Sequence, residues 1–185
     1  MSHTALIVID AQESFRHRPY WSEAGLADYF ARQQDLIDGC ARLGMPVVQI
    51  FHVEPDGPFS LASGNVRTLE ELSVNPDAVF HKQYHSALAG TGLMAWLTAR
   101  GIKRLIISGI RTEQCCETTA RHASDSGFQV EYVSEATLTF PMRHARSGRT
   151  YTPDDIRERT ELVLEGRFAR IATVAEVLAG VDQSQ

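Results

Sequence analysis

Short apolar runs alternate along this chain with longer amphipathic segments, and no other feature constrains the fold as much. The apolar runs predict six β-strands, over residues 5–9, 45–51, 78–80, 104–110, 128–133 and 168–173. Apolar residues at helical spacing predict helices over residues 26–43, 91–100, 115–127, 153–164 and 174–178. Strands that alternate with helices build βαβ units, so the pattern indicates an α/β fold whose largely parallel sheet is covered on both faces.

Length, charge and cysteine content narrow the classes of function. A chain of 185 residues is most simply one domain, and we expect a single domain over residues 1–185. Its net charge of -5 argues against general nucleic-acid binding. No apolar run approaches the ~20 residues that a membrane span needs, and the N-terminal residues lack a signal-peptide pattern. Three cysteines, two of them adjacent, argue against a disulfide framework, so we expect a cytoplasmic protein. From the charge and the short apolar runs we expect neither nucleic-acid nor membrane partners.

Two long connections interrupt the alternation of strands and helices. Residues 54–77 are rich in proline and glycine, and we expect only one or two helical turns there, near residues 68–72. Residues 137–152 form a second stretch that we expect to be irregular, and it carries several basic side chains. Loops of this length inside a compact domain are often functional, so we expect these two segments to contribute to substrate specificity.

Three chemically reactive residues follow three of the predicted strands. Asp10 ends the first strand, Lys82 follows the third, and Cys115 follows the fourth through a short turn. Because ligands bind outside the carboxyl ends of parallel strands, these side chains can converge at one edge of the sheet. Lys82 and the start of a helix would favour a thiolate at Cys115, and Asp10 would accept or donate protons. The set predicts acyl transfer to cysteine followed by hydrolysis, with backbone N–H groups of the turn stabilising the oxyanion.

Four stretches of the sequence carry a resemblance to a known family. They are ALIVIDAQESF at 5–15, FHKQYHSALAGTGL at 80–93, LIISGIRTEQCCETTARHA at 105–123 and FARIATVAEVL at 168–178. With these motifs the chain resembles the isochorismatase-like cysteine hydrolases. That superfamily includes nicotinamidases, N-carbamoylsarcosine amidase, ureidoacrylate amidohydrolases and true isochorismatases.

The resemblance implies a fold, a site and an assembly. The fold is a three-layer αβα arrangement around a six-stranded, mainly parallel sheet. The catalytic triad consists of an aspartate, a lysine and a cysteine, which match Asp10, Lys82 and Cys115. A non-proline cis peptide bond is implied at Ile110–Arg111, in the same turn that we expect to stabilise the oxyanion. The family is commonly oligomeric, so we expect a homo-oligomer, either a dimer or a tetramer.

Two adjacent cysteines compete for the role of nucleophile. Consecutive helical residues point about 100° apart, so only one of the two can face the site. The family motif aligns Cys115 with the nucleophile, whereas Cys116 shares a helical face with Ala120 and Ala123, which indicates packing. Cys40 lies on the apolar side of an earlier predicted helix, and we interpret it as a core residue.

The sequence departs from the family's metal-binding pattern. Metal-dependent nicotinamidases carry an aspartate, a tryptophan and two histidines after the second strand, whereas residues 51–56 here read FHVEPD and keep one histidine. His52, Glu54 and His85 are the remaining candidates for a metal site. We interpret His52 as a pocket or locally hydrogen-bonded residue instead, and we expect neither a metal nor another cofactor. The same departure argues against a nicotinamidase.

The substrate-binding candidates rest on position alone. Arg111 lies between the fourth strand and the cysteine, where it could hold a substrate carboxylate by a bidentate ion pair. Pairing with Glu113 or contact with a neighbouring subunit are the alternative interpretations of Arg111. The other candidates for lining the pocket of a small-molecule substrate are Gln12, Phe15, Tyr84 and Phe140.

Three functional hypotheses follow from these residues. The first is a metal-independent cysteine hydrolase that cleaves an amide or ureido C–N bond of a small molecule. The second is an isochorismatase-type vinyl-ether hydrolase, which needs acid catalysis at Asp10 and no thiol. The third is a non-enzymatic redox or binding protein that uses Cys115 and Cys116, although adjacent helical cysteines form a disulfide only with strain.

Overall fold

The computed structural model describes residues 2–180 and contains a main sheet of six strands. All the strands within residues 2–180, in chain order, are β1 (Thr4–Ile9), β2 (Val47–His52), β3 (Ala78–Lys82), β4 (Arg104–Ile110), β5 (Gln129–Leu138), β6 (Met142–Arg143), β7 (Thr150–Tyr151) and β8 (Arg170–Ile171). Strands β6 and β7 pair with each other outside the main sheet. The main sheet has the order β3-β2-β1-β4-β5-β8, and all of its pairings are parallel. The predicted α/β fold with a six-stranded parallel sheet is confirmed.

Helices cover both faces of the sheet and complete the three layers. They are α1 (Leu26–Arg42), α2 (Leu93–Ala99), α3 (Glu117–Asp125), α4 (Pro153–Leu164) and α5 (Val174–Gly180). Helices α1 and α5 pack with Leu6 and Val8 of β1 on one face, while α2, α3 and α4 pack with Ile7 and Ile9 on the other. Because both faces of β1 are covered, its sequence is continuously apolar and does not alternate. No helix within residues 2–180 is long and apolar enough to cross a bilayer.

The order of the strands decides which carboxyl ends become neighbours. Strand β1 lies between β2 and β4, and β3 lies beyond β2. In this register His52 of β2 pairs with Lys82 of β3, and Ile9 of β1 pairs with Gly109 of β4. The residues at and just after these strand ends therefore lie within one side chain's reach of each other.

Gly109 allows β1 and β4 to approach closely at this edge. Its φ is +121°, and a Cβ atom placed on it would lie 1.9 Å from the carbonyl oxygen of Ile9. Only glycine fits such a position without movement of the backbone. The pairing of β4 with β5 also shifts register between Ile107 and Gly109. The tight approach places the turn after β4 directly beside the end of β1.

Two connections differ from their predicted structure. Strand β5 continues to Leu138, beyond the predicted end at residue 133, because Ile110 of β4 still pairs with Leu138. The stretch 137–152, expected to be irregular, contains the antiparallel pair β6–β7. Instead of the one or two helical turns expected near residues 68–72, a single hydrogen-bonded turn forms there, in which the Leu72 N–H donates to the Leu69 carbonyl. Thr68 bridges to Gln12, and short 3₁₀ turns form earlier, at Gly57–Phe59 and Leu61–Ser63.

Candidate active site

Asp10, Lys82 and Cys115 converge at the carboxyl edge of the main sheet. Asp10 directly follows β1 with a φ of 50°, a left-handed conformation that aspartate tolerates better than most residues. Lys82 is the last residue of β3, and Cys115 lies in a single π-helical turn, Thr112–Cys116, between β4 and α3. Turns of this kind interrupt regular helix geometry and are frequent at functional sites. The sequence-based expectation that these three side chains share one edge agrees with their placement.

The Lys82 ammonium lies at the centre of the cluster. Its Nζ atom is 2.7 Å from Oδ2 of Asp10, 3.3 Å from Sγ of Cys115 and 3.2 Å from Nδ1 of His52. An ammonium group has three N–H donors, and here it has three acceptors around it. Burial would by itself lower the pKa of Lys82, but the charge of Asp10 and the hydrogen bonds to Asp10 and Cys115 outweigh it, so the pKa is raised. Lys82 is therefore a fixed positive charge in this site.

His52 is an acceptor for Lys82 and is held in place by Gln12. The side-chain oxygen of Gln12 accepts from the His52 backbone N–H at 2.7 Å, and its amide nitrogen donates to the His52 carbonyl at 3.1 Å. Burial, and next the charge of Lys82, lower the pKa of His52. The ring is thus neutral at physiological pH, and the Lys82 contact assigns the unprotonated nitrogen to Nδ1.

The thiol of Cys115 is protonated in the resting site, which corrects the expectation of a thiolate. Burial raises the pKa of Cys115 to about 12, the charge of Asp10 acts in the same direction, and Lys82 acts against both. The positive charge of Lys82 does not prevail because burial is the largest effect and the charge of Asp10 adds to it. Any attack by this sulfur consequently requires that its proton be transferred to another group.

The other two cysteines are buried in apolar surroundings. Cys116 is fully buried with Ala120 and Ala123 in the core between the sheet and α3, and burial raises its pKa well above the usual range. Cys40 of α1 belongs to the core on the opposite face, where burial raises its pKa to about 12. Of the adjacent pair, only Cys115 contacts Lys82.

Arg111 forms an ion pair within its own chain. The peptide bond between Ile110 and Arg111 is cis, as the resemblance implied. The Arg111 guanidinium lies 2.8 Å from Glu113 Oε1 and stacks over the ring of Tyr20, 4.8 Å from its centroid. Glu113 also accepts a hydrogen bond from Thr139 at 2.6 Å. Of the alternatives for Arg111, the structure contains the pair with Glu113.

The remaining substrate-binding candidates occupy different environments. Gln12 is fully buried, and its amide binds His52 and Ser14, so it positions the site from within the protein. Phe15 packs edge-on against Phe59 with ring centroids 5.0 Å apart. Phe140 is buried, and Tyr84 is exposed.

The three metal candidates do not form a ligand set. His52 directs Nδ1 at Lys82, and its Nε2 atom is 3.8 Å from Glu54 Oε1. Glu54 is held by Arg18, which donates to both carboxylate oxygens at 2.9 Å. His85 directs Nδ1 at Cys115 Sγ, at 3.8 Å. Within residues 2–180, no three His, Cys, Asp or Glu side chains are grouped in a way that could hold a metal ion.

Sequence reasoning missed the contacts that His52 makes with Lys82 and that His85 makes with Cys115. The first follows from the pairing of His52 with Lys82 across β2 and β3, which requires knowledge of the strand order. His85 lies three residues beyond Lys82, on a loop whose path the local sequence does not specify. The available signal was that His52 directly follows one predicted strand and that His85 lies a few residues beyond another.

Comparisons with known proteins agree on one family. A family model described as Isochorismatase domain matches residues 4–151. The isochorismatase family protein YrdC of Bacillus subtilis is 26% identical over 178 residues, which cover 94% of this chain and 94% of YrdC. The ureidoacrylate amidohydrolase RutB of Rhizobium rhizogenes is 26% identical over 220 residues, covering 99% of this chain and 85% of RutB. A solved isochorismatase-family structure from Burkholderia xenovorans is 30% identical, with a TM-score of 0.87 over 97% of this chain and 88% of that one.

Proposed function

This chain belongs to the isochorismatase family of hydrolases, and on that basis we propose that it is a metal-independent cysteine hydrolase acting on a small amide or ureido C–N bond. The observation that carries the proposal is that the Lys82 ammonium contacts both Asp10 Oδ2 and Cys115 Sγ. A nucleophile, a proton acceptor and a fixed cation in contact are the groups that covalent acyl transfer needs. The amidohydrolase RutB among the relatives supports a C–N bond as the target.

The first half-reaction forms a bond between sulfur and the carbonyl carbon. Because the pKa of Cys115 is about 12, its proton leaves as the sulfur attacks and passes to Asp10. Lys82 stabilises the negative charge that develops on sulfur during this transfer. Asp10 then gives the proton to the leaving nitrogen, the C–N bond breaks, and the acyl group remains on Cys115 as a thioester.

The tetrahedral intermediate carries a negative charge on the former carbonyl oxygen. The π-helical turn Thr112–Cys116 carries the nucleophile, and its backbone N–H groups are adjacent to Cys115 in the chain. These N–H groups are the proposed donors to the oxyanion, where each fixed donor contributes about 2.7–4 kcal/mol to the rate in comparable sites. Water then attacks the thioester and releases the acid product.

A panel of small amides tests the proposal. Purified protein is incubated with nicotinamide, N-carbamoylsarcosine, ureidoacrylate and simple aliphatic amides, and ammonia is measured. At least one compound should release ammonia, and Cys115→Ala should abolish that release. Cys116→Ala is the matched control, because it removes the neighbouring thiol from the core and leaves the contacts of Cys115 intact.

Three results would overturn the proposal or part of it. An unchanged rate in both Cys115→Ala and Cys116→Ala would exclude the covalent step. Release of pyruvate from isochorismate by both the parent protein and Cys115→Ala, with no ammonia from any amide, would assign the vinyl-ether hydrolase instead. Retained activity in Cys115→Ala with loss in Cys116→Ala would reverse the assignment of the nucleophile.

A further inference from the structure

Three cations lie on the elements that build the candidate active site, and each is paired with a carboxylate. Lys82 contacts the sulfur of Cys115, Arg111 precedes the turn that carries Cys115, and Arg18 ends the short turn that follows β1. The three pairs are Lys82 with Asp10 at 2.7 Å, Arg111 with Glu113 at 2.8 Å and Arg18 with Glu54 at 2.9 Å. The positive and negative charges of this set therefore balance.

Lys82 already has an acceptor for each of its three N–H donors. The acceptors are Asp10 at 2.7 Å, His52 at 3.2 Å and Cys115 at 3.3 Å. The side chains of Asp10 and Lys82 are 0% exposed, and the neutral ring of His52 adds no charge. A carboxylate of a substrate could bind Lys82 only by displacing one of these acceptors.

The guanidinium of Arg111 is enclosed on several sides. Its side chain and that of Glu113 are only 9% and 10% exposed. The rings of Tyr20 and Phe140 lie 4.8 and 5.8 Å from the guanidinium carbon, and Thr139 holds Glu113 in place through a hydrogen bond of 2.6 Å. Displacement of Glu113 would leave a buried carboxylate without its cation, which is strongly unfavourable.

Arg18 is more exposed than Arg111, but its guanidinium is also engaged. One of its nitrogens donates to both carboxylate oxygens of Glu54 at 2.9 Å, and its guanidinium carbon lies 4.6 Å from the ring centroid of Phe59. Glu54 in turn lies 3.8 Å from Nε2 of His52, whose Nδ1 atom contacts Lys82. An anion that approached His52 would therefore meet the negative charge of Glu54 as well as the positive charge of Arg18.

We propose that this site selects uncharged amides or ureas and discriminates against substrates that carry a carboxylate, an inference that rests on the proposed function. A carboxylate loses its hydration when it enters a site, and that loss is unfavourable unless cations or N–H donors of the site replace the water. Here each cation of the set already has a counter-ion. A neutral amide loses less hydration on entry, so a charge-balanced site favours it.

Alkylation of Cys115 by a matched pair of reagents tests this preference without a known substrate. Iodoacetamide is neutral, whereas iodoacetate carries a carboxylate and has nearly the same size; with either reagent the sulfur displaces iodide. The rates at Cys115 are followed by peptide mass analysis and divided by the rates with N-acetylcysteinamide. The normalised rates should favour iodoacetamide by about tenfold or more. Because both reagents attack the same thiolate, their ratio does not depend on the pKa of Cys115.

Two variants each remove one carboxylate and leave an arginine without its counter-ion. Glu113→Gln and Glu54→Gln should each reduce the preference for iodoacetamide by roughly three- to tenfold. Glu131→Gln is the matched control, because Glu131 pairs with Arg104 and Arg170 near the start of β4, at the opposite end of the strands from the site. Its ratio should equal that of the parent protein.

The other two cysteines report on the fold of each variant. Cys40 and Cys116 are buried, so they should stay unmodified as long as the protein is folded. A reduced preference at Cys115 with Cys40 and Cys116 unmodified therefore reflects a change of charge and not a loss of structure. If Glu113→Gln unfolds, Glu54→Gln still provides the test, because it alters a pair that is partly exposed.

The amide panel should show the same preference. N-carbamoylsarcosine and ureidoacrylate carry a carboxylate, and they should have a lower kcat/KM than the best uncharged amide. The highest kcat/KM for a carboxylate-bearing compound would overturn the inference. So would normalised alkylation rates that are equal or favour iodoacetate, or ratios in Glu113→Gln and Glu54→Gln that match Glu131→Gln.

Failure of the proposed function would look different. If no amide releases ammonia in a reaction that requires Cys115, while Cys115 still prefers iodoacetamide, the site discriminates against anions but the cysteine hydrolase mechanism fails. If neither reagent modifies Cys115, the sulfur is closed to small electrophiles, and that result would overturn the proposed function and this inference together.

Discussion

The Nζ atom of Lys82 lies 2.7 Å from Oδ2 of Asp10, and neither side chain is exposed to solvent. Such a pair is costly to bury, because both charges lose their hydration. Here the ammonium gains two further acceptors, Cys115 and His52. In the proposed mechanism the pair supplies a proton acceptor beside the thiol and keeps a positive charge where negative charge develops during attack.

Removal of one partner of this pair should destabilise the fold. Lys82→Met leaves the Asp10 carboxylate buried without its counter-ion, and a loss of about 3–5 kcal/mol in the free energy of unfolding is expected. The double variant Asp10→Asn with Lys82→Met should recover much of that loss, since no charge remains buried. Urea denaturation measures the effect, with Lys103→Met as the exposed lysine control. A double variant less stable than Lys82→Met would contradict the account.

Asp10→Asn should lower the pKa of Cys115 and still reduce hydrolysis. The carboxylate raises the pKa of Cys115, so its removal should shift ionisation of the thiol to lower pH. Ultraviolet absorbance of the thiolate, taken as the difference from the matching Cys115→Ala variant, follows this ionisation. The parent protein should show little thiolate below about pH 10, since its pKa is about 12. Hydrolysis in Asp10→Asn should fall by about 10²–10⁴-fold despite the larger thiolate fraction, because the proton acceptor is gone. An unchanged or higher ionisation midpoint would disprove this electrostatic role of Asp10.

We expect His52 to contribute to the rate of hydrolysis by holding the Lys82 ammonium in position. His52→Leu removes the acceptor at 3.2 Å from Nζ, and the loss of one hydrogen bond to a charged group predicts a fall in kcat of about tenfold with little change in KM. His52→Asn keeps a side-chain acceptor and should retain most of the rate. Steady-state kinetics on the best amide substrate makes the comparison. Equal losses in both variants would indicate that the ring itself, and not its acceptor nitrogen, is needed.

Chelation should leave the rate unchanged. His52 is engaged by Lys82, and Glu54 is held by two hydrogen bonds from Arg18, so neither is free to bind a cation. Ammonia release is measured before and after prolonged dialysis against EDTA, followed by addition of Zn²⁺ or Mn²⁺. A loss on dialysis that either metal reverses would show that the reaction depends on a metal.

Gly109→Ala should lower the free energy of unfolding much more than the same substitution at another glycine of positive φ. The new Cβ would lie 1.9 Å from the Ile9 carbonyl oxygen, so β1 and β4 must separate, and a loss of about 3 kcal/mol or more is expected. Gly127→Ala is the control, because Gly127 also has positive φ, +89°, but has open space around it. Gly127→Ala should lower the free energy of unfolding by about 1–2 kcal/mol, because only the strained backbone conformation contributes. Thermal or urea unfolding of both variants separates close approach from conformational strain, and equal losses would contradict the steric explanation.

The sequence alone determined the features that depend on local periodicity and on strand ends. Apolar runs located all six strands of the main sheet. The signal is clearest for the central strands β1 and β4, because a strand buried on both faces is continuously apolar. The position of Asp10, Lys82 and Cys115 just after three such runs placed them on one edge, since parallel strands all end on the same side. Helical spacing also distinguished the two adjacent cysteines, because Cys116 shares one helical face with Ala120 and Ala123 and therefore packs in the core with them.

Tertiary structure decided what depends on partners distant in the chain. Strand β5 extends to Leu138 because β4 continues beside it, and the polar residues within it concealed this from the sequence pattern. Gln12 binds the backbone of His52, and Arg111 pairs with Glu113, although both were open to a substrate on position alone. The sequence favoured a thiolate at Cys115, whereas its protonation depends on three competing effects: burial, Asp10 and Lys82. Their balance is set by distances of a few ångströms between residues far apart in sequence, which no local pattern encodes.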